Sequence, residues 1–387
     1  MRFRTTWNRP CRIASLWDDQ WIETPSNRVQ ADILSEVSST LPQEPSMLDQ
    51  AEPVSHSWRR LRRFSVRGLI VVVLLIGAAL GWLVRSARIQ REAVMAIEND
   101  RVLLSYNWEW SNGKLISGGK PWAPNWLVGL IGVDYFGHVT SVELFADCAA
   151  PDSLMEHVGR LTKLQRLHVQ GTTCSDAGLA HLTALNNLEV IDLTGTRATD
   201  VGLARLRGLT NLNRLDLERT RVDDVGLAHL GGLTNLASLN LSRTNVTDAG
   251  LVELKGLTRL TDLRLARTQI TDAGLTHLTS FANLACLDLG DTQVTGAGLA
   301  HLAALNNVDI LILGGTKITD AGLVHLERLT KLSRLDLSGT KVTDAGLAHL
   351  SGLTNLSRLD LSHTNVADAG VNGLQQALPD LKIIRVF

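Results

Sequence analysis

Six histidines stand in register through the second half of the chain. His181, His229, His277, His301, His325 and His349 each follow a glycine by three residues. Imidazoles at constant spacing could suit a transition metal. Each lies between leucines on a short predicted helix, and neighbouring helices pack roughly 8–10 Å apart, whereas imidazoles sharing zinc sit about 2.0–2.1 Å from it. The column is therefore expected on the surface, holding no metal. No HExxH, GxSxG, P-loop or GxGxxG ahead of a helix occurs. Asp, Ser and His recur because a segment recurs, so neither a catalytic residue nor a cofactor site is expected.

Candidate binding residues are easier to find. Short strands with alternating leucines must point the intervening side chains outward. In two consecutive segments these are Arg334, Asp336, Ser338 and Arg358, Asp360, Ser362. With strands about 4.8 Å apart, each Arg is expected to pair with an Asp of the next turn. One segment breaks the pattern. NNVDILIL puts Ile310 and Ile312 at the outward positions, beside Cys286 of the preceding turn and followed by Gly314 and Gly315. Apolar side chains on a polar face mark a contact point. Ile310, Ile312, Cys286, Arg334, Asp336, Arg358 and Asp360 are thus the predicted binding residues, and Ile310 and Ile312 are predicted to be exposed.

The elements that position them come from a 24-residue period. Nine units begin at Leu161, Leu185, Leu209, Leu233, Leu257, Phe281, Leu305, Leu329 and Leu353, each close to LxxLxxLxLxxTxVTDAGLxxL. A degenerate unit with Val139, Val142 and Leu144 precedes them, and ALPDLKIIRVF adds a last strand carrying Leu381, Ile384 and Val386. Such fidelity means a solenoid. In LDL (335–337) leucines alternate with Asp336, giving a strand with one buried face; successive strands must run parallel because each crossover returns to the same edge. In TDAGLAHL (343–350), Thr343 is the expected N-cap, with Asp344 in the first turn where the helix dipole favours negative charge. A threonine equivalent to Thr340 and a glycine equivalent to Gly346 occur in all nine units. The first is expected to ladder to neighbouring turns and the second to allow close packing of the crossover.

The pattern resembles the leucine-rich-repeat family, LxxLxLxxN/CxL, with Thr where that family has Asn or Cys, over residues 137–387. The resemblance implies an α/β solenoid, with parallel strands on a concave face, short helices on the convex face, and a protein, peptide or glycan as partner. The Arg-flanked FSVRGLIVVVLLIGAALGW, then RIQREAV, then DYFGHV leading into TDAGL repeats resembles membrane-anchored repeat proteins of planctomycete bacteria. TDxGL repeats also occur in substrate receptors of eukaryotic ubiquitin ligases, but residues 1–58 do not resemble the helical adaptor-binding domain these need. A structural cell-envelope spacer is the remaining alternative.

The first third differs in kind. Residues 1–58 mix Pro, Ser, Gln and acidic residues without a period and read as a flexible tail, Trp7, Trp17 and Trp21 notwithstanding. Residues 64–85 read as one transmembrane helix: Gly68 to Val84 is free of charge, and about 20 residues cross a ~30 Å hydrocarbon core. Trp82 suits an interfacial anchor and Arg67 can snorkel. A cleaved signal peptide, which opens a chain and ends in small residues, fits less well. Arg59, Arg60, Arg62, Arg63 and Arg67 outnumber Arg85, Arg88 and Arg91, so the N-terminus is expected in the cytoplasm and the repeats outside, on the periplasmic side of a bacterial inner membrane. Gly77 and Gly81 form a GxxxG pair that would suit a homodimer. Residues 86–136 then read as a juxtamembrane helix (Ile89, Ala93, Val94, Ile97 on one stripe) and a cap built from Trp108, Trp110, Trp122 and Trp126. A net charge of -1 gives no field for nucleic acid, and four cysteines without a CxxC pair leave the redox compartment open.

Overall fold

A computed structural model of the chain describes residues 66–98, 102–111, 114–115, 119–146, 148 and 151–386. The tail over 1–58 and the arginines from 59 to 63 lie outside the described residues. The chain divides into two units, Met1–Leu69 and Ile70–Phe387; of the first only the opening turn of a helix is described.

That helix, α1, runs Val66–Ile97. Its stretch from Gly68 is long and apolar enough to cross a membrane, with nothing in the most apolar window buried by the rest of the chain. Leucines, isoleucines and valines from Leu69 to Val84 are all exposed. Gly77 and Gly81 have open space where a side chain would stand. Past the apolar stretch the same helix changes partner. Ala87, Ala93, Val94 and Ile97 are buried, the last three against the core of the repeats, while Ile89 stays exposed.

The start of the array is covered by backbone and mixed side chains. Strand β1 (Val102–Tyr106) pairs antiparallel with β4 (Val139–Leu144), so the first strand of the solenoid offers no bare edge to another chain. Between them lie the short hairpin β2 (Trp110–Ser111) and β3 (Lys114–Leu115) and the helix α2 (Asn125–Ile131). A buried carboxylate fastens the pieces together. Asp134 accepts from Gln90 Nε2 at 2.7 Å and from the Tyr106 hydroxyl at 3.1 Å, while Gln90 Oε1 accepts from the Val139 amide at 3.3 Å. Burial, and then the Asp134 charge, push the Tyr106 phenol up. Of the tryptophans expected to form the cap, Trp122 and Trp126 do not cover the core. Trp108 stacks on Tyr106 with ring centroids 4.7 Å apart, but Trp122 and Trp126 are 81% and 71% exposed. The aliphatic stripe of α1 and strand β1 already close the end of the core, leaving no place there for the large rings.

After α3 (Pro151–Val158) come nine regular strands: β5 Arg166–His168, β6 Val190–Asp192, β7 Arg214–Asp216, β8 Ser238–Asn240, β9 Asp262–Arg264, β10 Cys286–Asp288, β11 Ile310–Ile312, β12 Arg334–Asp336 and β13 Arg358–Asp360. With β1, β4 and β14 (Lys382–Ile384) they make a twelve-stranded sheet in chain order, parallel from β4 onward. The repeat leucines, such as Leu335, Leu337, Leu347 and Leu350, are almost wholly buried. Each full burial contributes roughly 1.5–3 kcal/mol, so units with three-residue strands and single-turn helices are stable only as neighbours. After each strand the chain turns through positive φ, at Gly171, Gly195, Gly315 and Gly339 but also at Arg219, Arg243, Arg267, Asp291 and His363. The last strand departs from its leucine spacing. Ile383 stands beside Leu359 and packs on the core, whereas Ile384 lies beside Asp360 and Val386 is 57% exposed. The ladder keeps the offset of 24 residues, and that register overrides the apolar spacing of the terminal segment.

Candidate functional site

Positions that never vary between units are spent on architecture. Thr343 accepts from the Ala345 amide, as an N-cap should. Its backbone amide and hydroxyl in turn donate to the two oxygens of Asp320, one unit earlier, at 2.7 and 2.6 Å. The same pair of bonds joins Asp176 to Thr199, Asp224 to Thr247, Asp248 to Thr271 and Asp272 to Thr295. The helix-side aspartates therefore stitch each unit to the next as well as favouring their own helix dipole. The glycines follow from this. A Cβ at Gly346 would run into Oδ1 of Asp320, and the same clash recurs at Gly202, Gly226, Gly250, Gly274 and Gly298. The other repeating threonine does not ladder between turns: the Thr340 hydroxyl donates to Leu337 O of its own turn at 2.6 Å, as do its equivalents. The chain reverses there while buried, and the Leu337 carbonyl accepts from both the amide and the hydroxyl of Thr340.

The histidine column lies on the helix side, His181 and His301 exposed and the others half-buried. His349 Nδ1 is 2.8 Å from Glu327. Among the described residues no three His, Cys, Asp or Glu side chains converge.

The outer face of the sheet also varies from unit to unit. Parallel register puts first-position residues in one row, Cys286 beside Ile310 beside Arg334 beside Arg358. Third-position residues form another, Asp288 beside Ile312 beside Asp336 beside Asp360. A 24-residue period in strict register aligns equivalent positions, so like residues stand side by side at β12 and β13, Arg334 beside Arg358 and Asp336 beside Asp360. The crowding shows in the acids. Burial first, and then the Asp360 charge, push Asp336 above the usual carboxylate range, against hydrogen bonds from Ser338. Asp288 is pushed up to about 6 by burial, with Asp336 and Asp262 adding to it and the Gly290 amide and Arg264 opposing.

Cys286, Ile310 and Ile312 are brought together as expected, and Leu311 and Leu313 beside them are wholly buried. Ile310, however, is only 7% exposed, although it lies outside the core cluster. Its neighbours in the row, Cys286 and Arg334, stand one strand away on either side. Ile312 is half-buried and open to a partner. The Cys286 thiol is pushed up, by burial and then by Asp262, which keeps it protonated and a poor nucleophile. Sequence reasoning missed Asp288. Its only signal is its place beside Ile312, and only lateral register reveals that. A second recess of about 360 Å³, polar and framed by Asn187, Asn211, Asn235 and Arg259, lies at the entry to strands β6 to β9.

Two family models match, both described as leucine-rich repeat, one over residues 210–270 and the other over 328–351 and 352–374. No curated protein matches the chain by sequence. Among solved structures the chain is similar to an internalin from Listeria monocytogenes, at 21% identity over 67% of this chain and 92% of that one (TM-score 0.47). It is similar also to internalin C2 from the same bacterium, at 29% identity over 54% and 84% of the two chains (TM-score 0.42). A repeat protein from Leptospira interrogans matches at 18% identity over 59% and 74% (TM-score 0.44).

Proposed function

This chain is a leucine-rich-repeat protein, and from that premise we propose that it acts as a membrane-anchored binding module without catalysis, presenting the outer face of its sheet to a protein or peptide. One observation carries the reading. The repeated leucines are consumed by the core and the Asp–Thr pairs stitch most units together, while the outer face of the sheet carries side chains that differ from unit to unit. On that face the charged rows are interrupted at β10 and β11, where Cys286, Ile310 and Ile312 adjoin Asp288. An apolar side chain ringed by polar ones is the usual build of an interface hot spot. Of the four charged residues predicted beside it, Arg334 and Arg358 are half-buried and could meet a partner's acidic groups, whereas Asp336 and Asp360 are buried and are not available to one.

A photo-crosslinking residue at position 312 in the intact membrane-embedded chain tests this. It should capture a partner, and Ile312→Asp should weaken that partner's affinity at least tenfold. Ile312 is half-buried outside the core, so the melting temperature should move little. Equal capture from position 349, on the helix side, together with an unaltered affinity would refute the site.

The anchor is the apolar stretch of α1. The arginine bias around it supports a cytoplasmic N-terminus with the repeats across the membrane. Protease added outside spheroplasts should then digest the array and spare the tail; loss of the tail alone reverses the orientation. A homodimer through Gly77 and Gly81 is compatible with their open faces.

A further inference from the structure

Helix α2 buries none of its seven residues. Trp126 and Leu130 on it are 71% and 73% exposed, and Trp122, just before it, is 81% exposed. A helix this short has little stability of its own in water. Three large apolar side chains displayed together need a partner.

Position says which partner. Trp122 meets Phe136 edge-on, with ring centroids 5.4 Å apart, and lines the same cleft as Trp82 and Leu83 of α1, a space of about 640 Å³. Trp82 closes the apolar stretch of α1, where the chain would leave the hydrocarbon core. The Trp122 ring therefore shares a cleft with the end of the anchor's apolar surface, and Trp126 and Leu130 follow it along the short helix. Arg85 and Lys163, both exposed, line this cleft too. Aromatic rings beside cations suit the level of lipid headgroups, where indole is half-solvated and phosphate is at hand.

We propose that Trp122, Trp126 and Leu130 dock into the headgroup region of the membrane that α1 spans, with Arg85 and Lys163 facing anionic lipid phosphates. The array is then held to the bilayer at two places rather than swivelling on one helix. The second contact is intramolecular once α1 is inserted, so a weak interaction suffices. The proposal rests on the anchoring role of α1.

The full chain, reconstituted into phosphatidylglycerol-containing vesicles with acyl chains brominated near the headgroup, separates the two. Emission assigned to Trp122 and Trp126, by difference against the Trp122→Phe/Trp126→Phe double variant, should fall at least twofold relative to unbrominated vesicles. Emission assigned to Trp82 through Trp82→Phe should fall as well. Phe keeps the contact with Phe136, so the variants remain folded. Quenching of Trp82 alone overturns the docking and leaves the anchor standing. Quenching of neither removes both. Trp122 and Trp126 shielded from aqueous iodide yet untouched by bromine would mean a protein contact instead, and would also overturn the proposal.

Discussion

A single carboxylate oxygen explains the repeating glycine in eight of the nine units. Oδ1 of Asp320 occupies the space that a Cβ at Gly346 would need, held there by the Thr343 amide. Gly346→Ala should therefore destabilise the array by about 1–3 kcal/mol, the usual range for overpacking. Asp320→Ala removes the obstacle but also two hydrogen bonds. The double variant should lose clearly less than the sum of the single changes, a coupling that urea denaturation of all four proteins would expose. Strict additivity would mean that the glycine serves some other purpose. One natural exception shows the same contact under strain. Asp223 stands where seven of the other eight units have Thr or Ser, and Asp200 faces it; burial, with the Asp223 charge adding to it, raises the Asp200 pKa.

At the scale of one element, strands β10 and β11 are where the repeat relaxes on both faces. On the helix side Gly296 replaces the stitching aspartate. Thr319 then has no side-chain cap bond, and the backbones of Gly296 and Gly322 close until a Cβ on either would overlap the other. On the sheet side Asp288 carries its raised pKa. A folded-state pKa near 6, against an ordinary 3.8, means that the ionised form opposes folding. The group's stabilising contribution is complete below about pH 4 and is lost as pH rises through 6. Asp288→Asn keeps an acceptor for the Gly290 amide and removes the charge. It should stabilise the protein at pH 7 by about 1–3 kcal/mol, a gain that disappears as pH falls from 6 to 4. Thermal melting across that interval checks the sign; a variant less stable at pH 7 would mean that the Arg264 attraction outweighs burial.

Across the whole molecule the array is a stack whose units contact only their neighbours, so its ends decide whether it stays folded and dispersed. Deleting residues 1–85 leaves the buried face of α1, strand β1 and the Asp134 node in place. That protein should be soluble and run as a folded species in size-exclusion chromatography. Deleting through residue 160 bares β5 and the core behind it, and should give aggregates. A dispersed product from the longer deletion would show that β1 and β4 do not protect the stack.

The sequence by itself determined the solenoid. A 24-residue period with leucines at fixed offsets admits one parallel sheet with those leucines inside, and Leu335 and Leu337 lie there. The N-cap role of Thr343 and the apolar helix from Gly68 were equally legible, because capping and hydropathy are local properties. Only the tertiary structure decided what depends on neighbouring turns. Asp320 and Thr343 meet because the pitch of the stack brings residues 23 apart together. Ile310 is buried in the row between Cys286 and Arg334, although alternation alone points it outward. Ile383 replaces Ile384 as the inward residue of β14 because the register of β13 is already fixed. Trp122 and Trp126 stand exposed because aliphatic side chains of α1 had filled the end of the core. Periodicity fixes which side of an element faces inward; which neighbour occupies a given space follows only when the turns are stacked.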